Sequence, residues 1–169
     1  AQTLLQLMVH YCRFERAALH RFEGRRPDSA PVAAMGGDDR LDRDDPLVEL
    51  ALESGDAAYF SVDQISDGRA GAYRVVLPLV AANGEQMGLL AVRDMPLLAL
   101  TEENLLTAAA ILEYFADDAW ARRESEPVIR HYPRCPQVFA QELLKLTELA
   151  RRVGVRSTLV LFQGGDGAD

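Results

Sequence analysis

Five carboxylates are crowded into one short predicted loop, where together they could bind a cation. They belong to Asp38, Asp39, Asp42, Asp44 and Asp45. A calcium-binding loop needs oxygen ligands at fixed positions and a glycine at its sharp turn. Counted from Asp42, Pro46 stands where an oxygen ligand is needed and Leu47 stands where the glycine is needed. Glu53 does fall at the last ligand position. The spacing therefore favours a charged loop, with Asp45 as the N-cap of a following helix, over a calcium site.

Histidine, cysteine and serine residues form no recognisable catalytic or metal-binding motif. His10, His20 and His131 share no spacing with each other or with carboxylates that would suit zinc. Cys12 and Cys135 lie far apart without a CxxC motif, which indicates buried or idle thiols in a reducing compartment. Neither a GxSxG motif nor a Walker phosphate-binding loop occurs. The sequence therefore predicts a protein without enzymatic activity, and without a metal or cofactor of its own.

Length and composition limit the possible partners. A chain of 169 residues that is 49% hydrophobic can form one domain and part of another. Its net charge of -8 and its pI of about 4.9 argue against binding to nucleic acid or to an anionic membrane. No stretch is long enough to span a membrane, and no signal peptide precedes the first helix. Because Ala1 opens directly into a helical pattern, we expect that the chain was cut from a longer protein.

The beginning of the chain predicts a helix and a β-hairpin. Apolar residues recur at helical spacing over residues 1–12. Two strands, Phe14–Phe22 and Pro31–Met35, follow, and the turn at residues 24–28 carries the glycine, proline and charges expected between them. These strands are predicted to pair antiparallel.

A short helix and three strands come next. The helix over residues 46–54 begins after the N-cap Asp45 and ends before Gly55, which can adopt the left-handed cap conformation. The dipeptide Asn83-Gly84 predicts a type I′ turn that joins the last two strands. The strands are predicted over residues 57–62, 73–82 and 87–92.

Two amphipathic helices separated by a proline-rich stretch complete the pattern. Thr101 is the predicted N-cap of a helix over residues 102–123, and Asn104 stands where a capping box would prefer Glu or Gln. Three prolines among charged residues predict a linker over residues 124–136. A helix over residues 137–153 and a buried type of strand over residues 158–162 follow.

This order of elements resembles a GAF domain, a sensor and interaction fold. Residues 77–118, LPLVAANGEQMGLLAVRDMPLLALTEENLLTAAAILEYFADD, resemble the GAF domain of the PelD family, the inner-membrane cyclic di-GMP receptors of Pel exopolysaccharide secretion. The stretch CPQVFAQELLKLTELARRVGVRSTLVLF resembles the opening helix and first strand of the degenerate GGDEF domain that follows in that family. The resemblance implies an α/β protein of the α+β type, with a central antiparallel sheet of five or six strands flanked by helices. It places a GAF domain at residues 1–123, a linker at 124–136 and part of a GGDEF-like domain at 137–169.

The resemblance also implies a regulatory role without catalysis. The chain would be a cytoplasmic module of a cyclic di-GMP receptor that controls Pel-type exopolysaccharide synthesis and export, and hence biofilm formation. A missing N-terminal segment would anchor the protein in the bacterial inner membrane, where its partner would be the Pel machinery. Cyclic di-GMP would bind an RxxD motif and further arginines in the GGDEF-like domain, beyond the residues present here. The alternative is a free-standing sensor whose own GAF pocket holds a small molecule.

Three short motifs echo these families but stand in the wrong places. Arg25-Arg26-Pro27-Asp28 spells RxxD in a predicted hairpin turn, where a solvated turn is the favoured interpretation. Gly36-Gly37-Asp38-Asp39 and Gly164-Gly165-Asp166 echo the GGDEF signature. A working cyclase carries that signature in mid-domain, with carboxylates that hold two metal ions. We interpret all three motifs as loops.

Four residues would border the ligand pocket that a GAF domain forms between its sheet and connecting loops. They are Tyr59, Asp63, Tyr73 and Arg74. Aromatic residues in strands are more often core residues than ligand contacts, and a strand arginine is more often solvated. An empty or vestigial pocket is therefore the default interpretation.

The terminal helices of the GAF pattern carry more apolar residues than one face against a small sheet requires. Leu4, Leu5 and Met8 lie on the first helix, and Leu112 and Phe115 lie on the long one. An exposed stripe of such residues marks an interface. We expect these residues to serve a homodimer or contact with the Pel machinery. The alternative is that both helices pack fully on the sheet.

Overall fold

The computed structural model describes most of the chain in two compact units. The units are Ala1–Trp120 and Ala121–Asp169. The described residues are 1–24, 26–37, 40–61, 64–65 and 71–154, together with residues 156, 158 and 160. Among them, no helix combines the length and apolar character needed to cross a membrane.

The described residues include helices and strands with the following bounds. The helices are α1 (Gln2–Cys12), α2 (Pro46–Ser54), α3 (Glu102–His131) and α4 (Gln137–Val153), with a short 3₁₀ turn at Leu97–Ala99. The strands are β1 (Arg16–Glu23), β2 (Arg26–Pro27), β3 (Ala33–Met35), β4 (Ala58–Tyr59), β5 (Val75–Val80) and β6 (Gln86–Asp94). All pair antiparallel in the order β2-β1-β6-β5-β4, and β3 also pairs with β1. The predicted α+β fold with five or six antiparallel strands is confirmed.

Side chains that alternate along β5 and β6 give the sheet an apolar core on each face. The first core lies between the sheet and helices α1 and α3. It includes Leu5, Met8, Phe14, Val75, Leu77, Leu90, Val92, Leu105 and Leu112. The second core lies between the sheet and helix α2. It includes Leu47, Val48, Ala51, Val76, Leu89 and Ala91.

The predicted caps of α2 are confirmed, and Asp45 does more than cap. Its Oδ1 accepts a hydrogen bond of 2.9 Å from the Leu47 N–H, and Gly55 takes the left-handed conformation at the other end. Its Oδ2 accepts a second bond of 2.6 Å from the Ala72 N–H. Because Asp45 is 3% exposed, both bonds are shielded from water. One buried carboxylate therefore joins α2 to the start of β5.

The hairpin between β5 and β6 forms where it was predicted, but the turn type was wrong. A type I′ turn needs positive φ at both central residues. Here Gly84 has a φ of 84°, whereas Asn83 is not left-handed. The Gly84 N–H donates to the Ala81 carbonyl over 2.7 Å, and the Asn83 side chain accepts from the Glu85 N–H over 3.0 Å. This matches a type I turn followed by a left-handed glycine. The loop of such a hairpin has three residues, one more than the loop of a type I′ hairpin.

Asn104, which looked like an imperfect capping residue, connects two helices. Its Nδ2 donates to the Cys12 carbonyl over 2.9 Å and to the Ala99 carbonyl over 2.8 Å. Thr101 accepts the Asn104 N–H at the helix start, as predicted. The amide side chain thus satisfies a carbonyl at the C-terminal end of α1, a role that a Glu carboxylate could not fill because it has no N–H to donate.

Helix α3 continues beyond its predicted end at residue 123 as far as His131. Pro127 lies inside it and removes one backbone donor, but its neighbours maintain the helix. In the second unit, the buried Ser125 hydroxyl donates to the Arg122 carbonyl and accepts from Gln137 Nε2. Helix α4 ends at the left-handed Gly154, as predicted. The strand predicted at residues 158–162 falls largely outside the described residues.

We expect Asp45→Ala to lower the free energy of unfolding by about 2–4 kcal/mol, because it removes a helix cap and leaves a buried N–H unpaired. Asp45→Asn should cost less, since its Oδ1 can still accept the Leu47 N–H. Urea denaturation would measure both. Asp44→Ala, on the exposed neighbouring residue, is the control and should be nearly neutral. Equal effects at residues 44 and 45 would contradict the double role of Asp45.

We expect Gly88→Ala to destabilise the protein by roughly 1–3 kcal/mol. An added Cβ at Gly88 would lie 2.6 Å from the His20 carbonyl oxygen, a backbone atom that cannot rotate away. A Cβ added at Gly24 would meet no atom within 4 Å. Gly24→Ala should therefore lower the free energy of unfolding by only about 1 kcal/mol, the cost of the left-handed φ of +67°. Thermal unfolding of the two variants would compare these costs, and the prediction fails if Gly24→Ala is the worse.

Candidate functional site

A GAF pocket was predicted between the sheet and its connecting loops, and Tyr73, one of its four predicted residues, lies on the sheet face that carries α2. In the described residues this face is packed with the chain's own side chains. The side chains come from the loop, from α2, from the sheet and from Tyr73 just before β5; those of the loop and α2 are Leu41, Leu47, Val48 and Ala51. All of these side chains are at most 6% exposed. The described part of this face is therefore a core.

Tyr73 is the polar centre of this core. It is 2% exposed, and its hydroxyl accepts the Asp42 N–H over 2.7 Å and lies 3.4 Å from the Arg40 carbonyl, to which it can donate. The Arg93 Nη2 donates to the same carbonyl over 3.2 Å, and its guanidinium carbon lies 4.8 Å from the centre of the Tyr73 ring. Tyr73 and Arg93 thus hold the loop at residues 40–42 against the sheet through hydrogen bonds and a cation–π contact.

The electrostatic environment keeps the Tyr73 hydroxyl protonated at neutral pH. Burial raises the pKa of Tyr73 above its ordinary value, and the hydrogen bond from Asp42 and the positive charge of Arg93 offset this rise only in part. A protonated hydroxyl can donate as well as accept. Its partners here are the backbone groups of Asp42 and Arg40 and the Arg93 Nη2, which donates to it over 3.4 Å, so the arrangement is a structural connection within the chain.

The other predicted pocket residues do not join Tyr73 in one site. Tyr59 lies on the edge strand β4 and is 42% exposed. Arg74 is half-buried, and its backbone N–H donates to the Val92 carbonyl over 2.8 Å. Asp63 lies outside the described residues. Of the three candidates that the structure describes, only Tyr73 has a network of polar contacts, and that network is internal.

Arg93 and the loop backbone at Arg40 and Asp42 were missed as parts of this network. A signal for Arg93 was present, because it ends the buried run of β6 and the predicted hairpin places it beside the start of β5. The observed register pairs Val92 with Val75, which brings Arg93 close to Tyr73. No local pattern indicated the contact with the loop, since that loop is distant in sequence.

The apolar residues named on the terminal helices pack into the first core, as the alternative interpretation had it. Leu4, Leu5, Met8 and Leu112 are at most 1% exposed and belong to the first core, and Phe115 packs against it half-buried. The sheet face is wide enough to cover the apolar stripes of both helices. The outward faces of the helices carry other apolar residues, namely Val9, Tyr11, Leu106 and Tyr114. Association through these helices remains a prediction, for which the buried Leu4, Leu5, Met8 and Leu112 offer no exposed surface.

Of the RxxD motif interpreted as a solvated turn, Arg26 and Pro27 instead form strand β2, with Pro27 buried. The described carboxylates of the loops make local contacts. Asp42 Oδ1 accepts the Asp44 N–H over 3.2 Å, and Asp28 Oδ1 accepts the Ala30 N–H over 3.0 Å. Arg25, Asp38, Asp39 and residues 164–166 lie outside the described residues. No cluster of His, Cys, Asp and Glu in the described part of the chain could hold a metal ion. Burial raises the pKa of the Cys12 thiol, which keeps it protonated and weakly nucleophilic.

Comparisons with solved structures place this fold beside PelD from Pseudomonas aeruginosa. A structure of PelD from strain PAO1 is 28% identical over 88% of this chain and 49% of that chain, with a TM-score of 0.67. A PAO1 structure in complex with c-di-GMP is 29% identical over 90% of this chain and 50% of that chain, with a TM-score of 0.64. The apo form from strain PA14 is 30% identical over 85% of this chain and 46% of that chain, with a TM-score of 0.61.

The resemblance to PelD is thereby confirmed, and the chain spans about half the length of these PelD chains. A search of curated protein sequences found no match. The family model of the GAF domain matches residues 1–114, which cover both cores of the first unit almost completely. The chain belongs to the GAF domain family.

Proposed function

We propose that this chain is the non-enzymatic, GAF-containing part of a PelD-type cyclic di-GMP receptor that regulates Pel-type exopolysaccharide synthesis and export. The observation that carries the proposal is the similarity to PelD in complex with c-di-GMP, which extends over 90% of this chain. The similarity covers more of the chain than the GAF match at residues 1–114, which supports the proposal that the two proteins share an order of domains.

The dinucleotide site is proposed to lie in the GGDEF-like domain, beyond the residues present here. Cyclic di-GMP carries two phosphates, and binding them tightly calls for several convergent arginine donors. In the described GAF domain, Arg43 donates to the Pro27 carbonyl over 2.6 Å and Arg93 donates to the Arg40 carbonyl. These guanidinium groups hold loops in place. The proposal is supported by the fact that this chain spans only half of the PelD chain that carries the ligand.

The GAF domain itself is proposed to act as a protein-interaction module. Among the described residues, the sheet face beneath α2 is packed with side chains and has little space for a small molecule. This disfavours the alternative of a free-standing sensor. In the proposed setting, the domain lies in the cytoplasm and an N-terminal segment anchors the protein to the inner membrane. The Pel machinery of that membrane would be its partner.

We expect the 169-residue chain alone to show no measurable affinity for cyclic di-GMP in calorimetry at micromolar concentrations, because the convergent arginines lie elsewhere. The full-length protein should bind. The pair of titrations separates the two possible site locations, since equal binding by both proteins would place the site in the GAF domain and overturn this part of the proposal.

We also expect no cyclic product when the chain is incubated with GTP and magnesium. A cyclase needs two metal ions held by carboxylates beside the nucleotide, and neither GGD sequence stands in such a setting. Chromatography of the reaction mixture would reveal any product. Synthesis that Asp38→Ala abolishes would show that the motif at residues 36–39 is catalytic and would refute the non-enzymatic assignment.

A further inference from the structure

A groove of about 400 Å³ opens at the edge of the sheet in the GAF domain, away from the packed face beneath α2. Its walls are the loop that follows α2, strand β5 with its hairpin, and one turn of α3. Strand β4 is too short to close it, because it pairs only with Val75 and Val76 of β5. Among the described residues, no strand covers the same edge of β5 from Leu77 to Val80. Small side chains at Ala57 and Ala109 widen the gap between the walls.

In the loop and hairpin walls of the groove, several backbone donors are already engaged. The Gly55 N–H donates to the Ala51 carbonyl over 3.1 Å, the Asp56 N–H to Ser54 Oγ over 3.1 Å, and the Ala82 N–H to Asp117 Oδ1 over 2.7 Å. The N–H groups of Ala81 and Gly84 are bonded within the hairpin, and Pro78 has none. A ligand would therefore find few donors here.

The acceptors of the groove are available. Asp56 and Glu113 are exposed on opposite walls, and neither carboxylate has a hydrogen bond or ion pair with any residue that the structure describes. Between them the floor is apolar and within reach of a ligand, because Pro78 and Val80 line it and are only half-buried. An apolar floor between two carboxylates suits a ligand that combines a hydrocarbon stem with a cationic, donor-rich end.

We propose that this groove binds an arginine or lysine side chain presented by an extended segment of a partner protein. The methylene stem would lie on the floor at Pro78 and Val80, and the charged end would donate to Asp56 and Glu113. The open edge of β5 favours an extended backbone beside it, and the net charge of -8 favours the approach of a basic segment. This inference rests on the interaction role proposed above for the GAF domain and names the chemistry of the partner.

The test is an NMR titration of the isotope-labelled 169-residue chain with the capped pentapeptide Ala-Leu-Arg-Leu-Ala. We expect saturable shifts at the amides of Ala57, Ala82 and Ala109. A peptide with Glu in place of Arg should cause none. Glu113→Lys should weaken binding of the arginine peptide about tenfold or more, the effect of losing one charge-assisted hydrogen bond, and Asp56→Lys should do the same.

Glu103→Lys is the matched control, because it makes the same charge change on the exposed surface of the same helix but outside the groove. It should leave the affinity nearly unchanged.

Three results would overturn the proposal: equal binding of the two peptides, shifts confined to other surfaces, or equal losses of affinity at residues 103 and 113. If capped arginine alone binds as tightly as the pentapeptide, the ligand of the groove is a small molecule and not a protein segment, and the proposal is overturned. Cyclic di-GMP binding by full-length Glu113→Lys should be unchanged, so the two proposals can fail separately.

Discussion

Strand β6 is the constraint on which the other elements depend, because it is buried on both faces and paired along both edges. From Gly88 to Val92 every residue is buried, with β1 on one side and β5 on the other. Its alternating side chains enter both cores, so α1 and α3 on one face and α2 on the other are positioned by the same strand. Gly88 allows the β1 backbone to approach at the His20 carbonyl. A displacement of β6 would disturb both cores together.

The two faces of this sheet are closed by different interactions. On one face, helices α1 and α3 pack against the sheet through apolar burial. Where the end of α1 meets the start of α3, Asn104 donates to the Cys12 carbonyl. On the face of α2, two buried polar groups secure chain segments that are distant in sequence. Asp45 joins α2 to the segment just before β5. Tyr73, in that segment, joins it to the loop at residues 40–42. With both described faces packed, the groove beside β5 stands out as an accessible concave surface with unengaged acceptors, which suits a domain that acts through protein contacts.

Much of the fold was predictable because its signals are local. Asp45, Gly55 and Gly154 mark helix ends through their own backbone preferences, and strands β5 and β6 follow from apolar alternation around a turn. The errors arose where a local signal was ambiguous. Asn83-Gly84 suits more than one kind of turn, and the loop length that distinguishes them depends on how β5 and β6 align. Pro127 normally opposes a helix, but a single lost hydrogen bond is tolerated when the surrounding residues favour one.

The sequence by itself determined the family, the order of the elements and the absence of recognisable catalytic motifs, since each of these follows from residues close together in the chain. Only the tertiary structure decided which apolar residues are covered. Leu5 and Leu112 looked available for an interface, but burial depends on the width of a sheet assembled from distant strands. The same holds for Tyr73, whose partners at Arg40 and Asp42 are remote in sequence, and for the groove, whose two carboxylates come from α3 and the loop after α2. Contacts between distant segments are set by packing, and no local pattern encodes them.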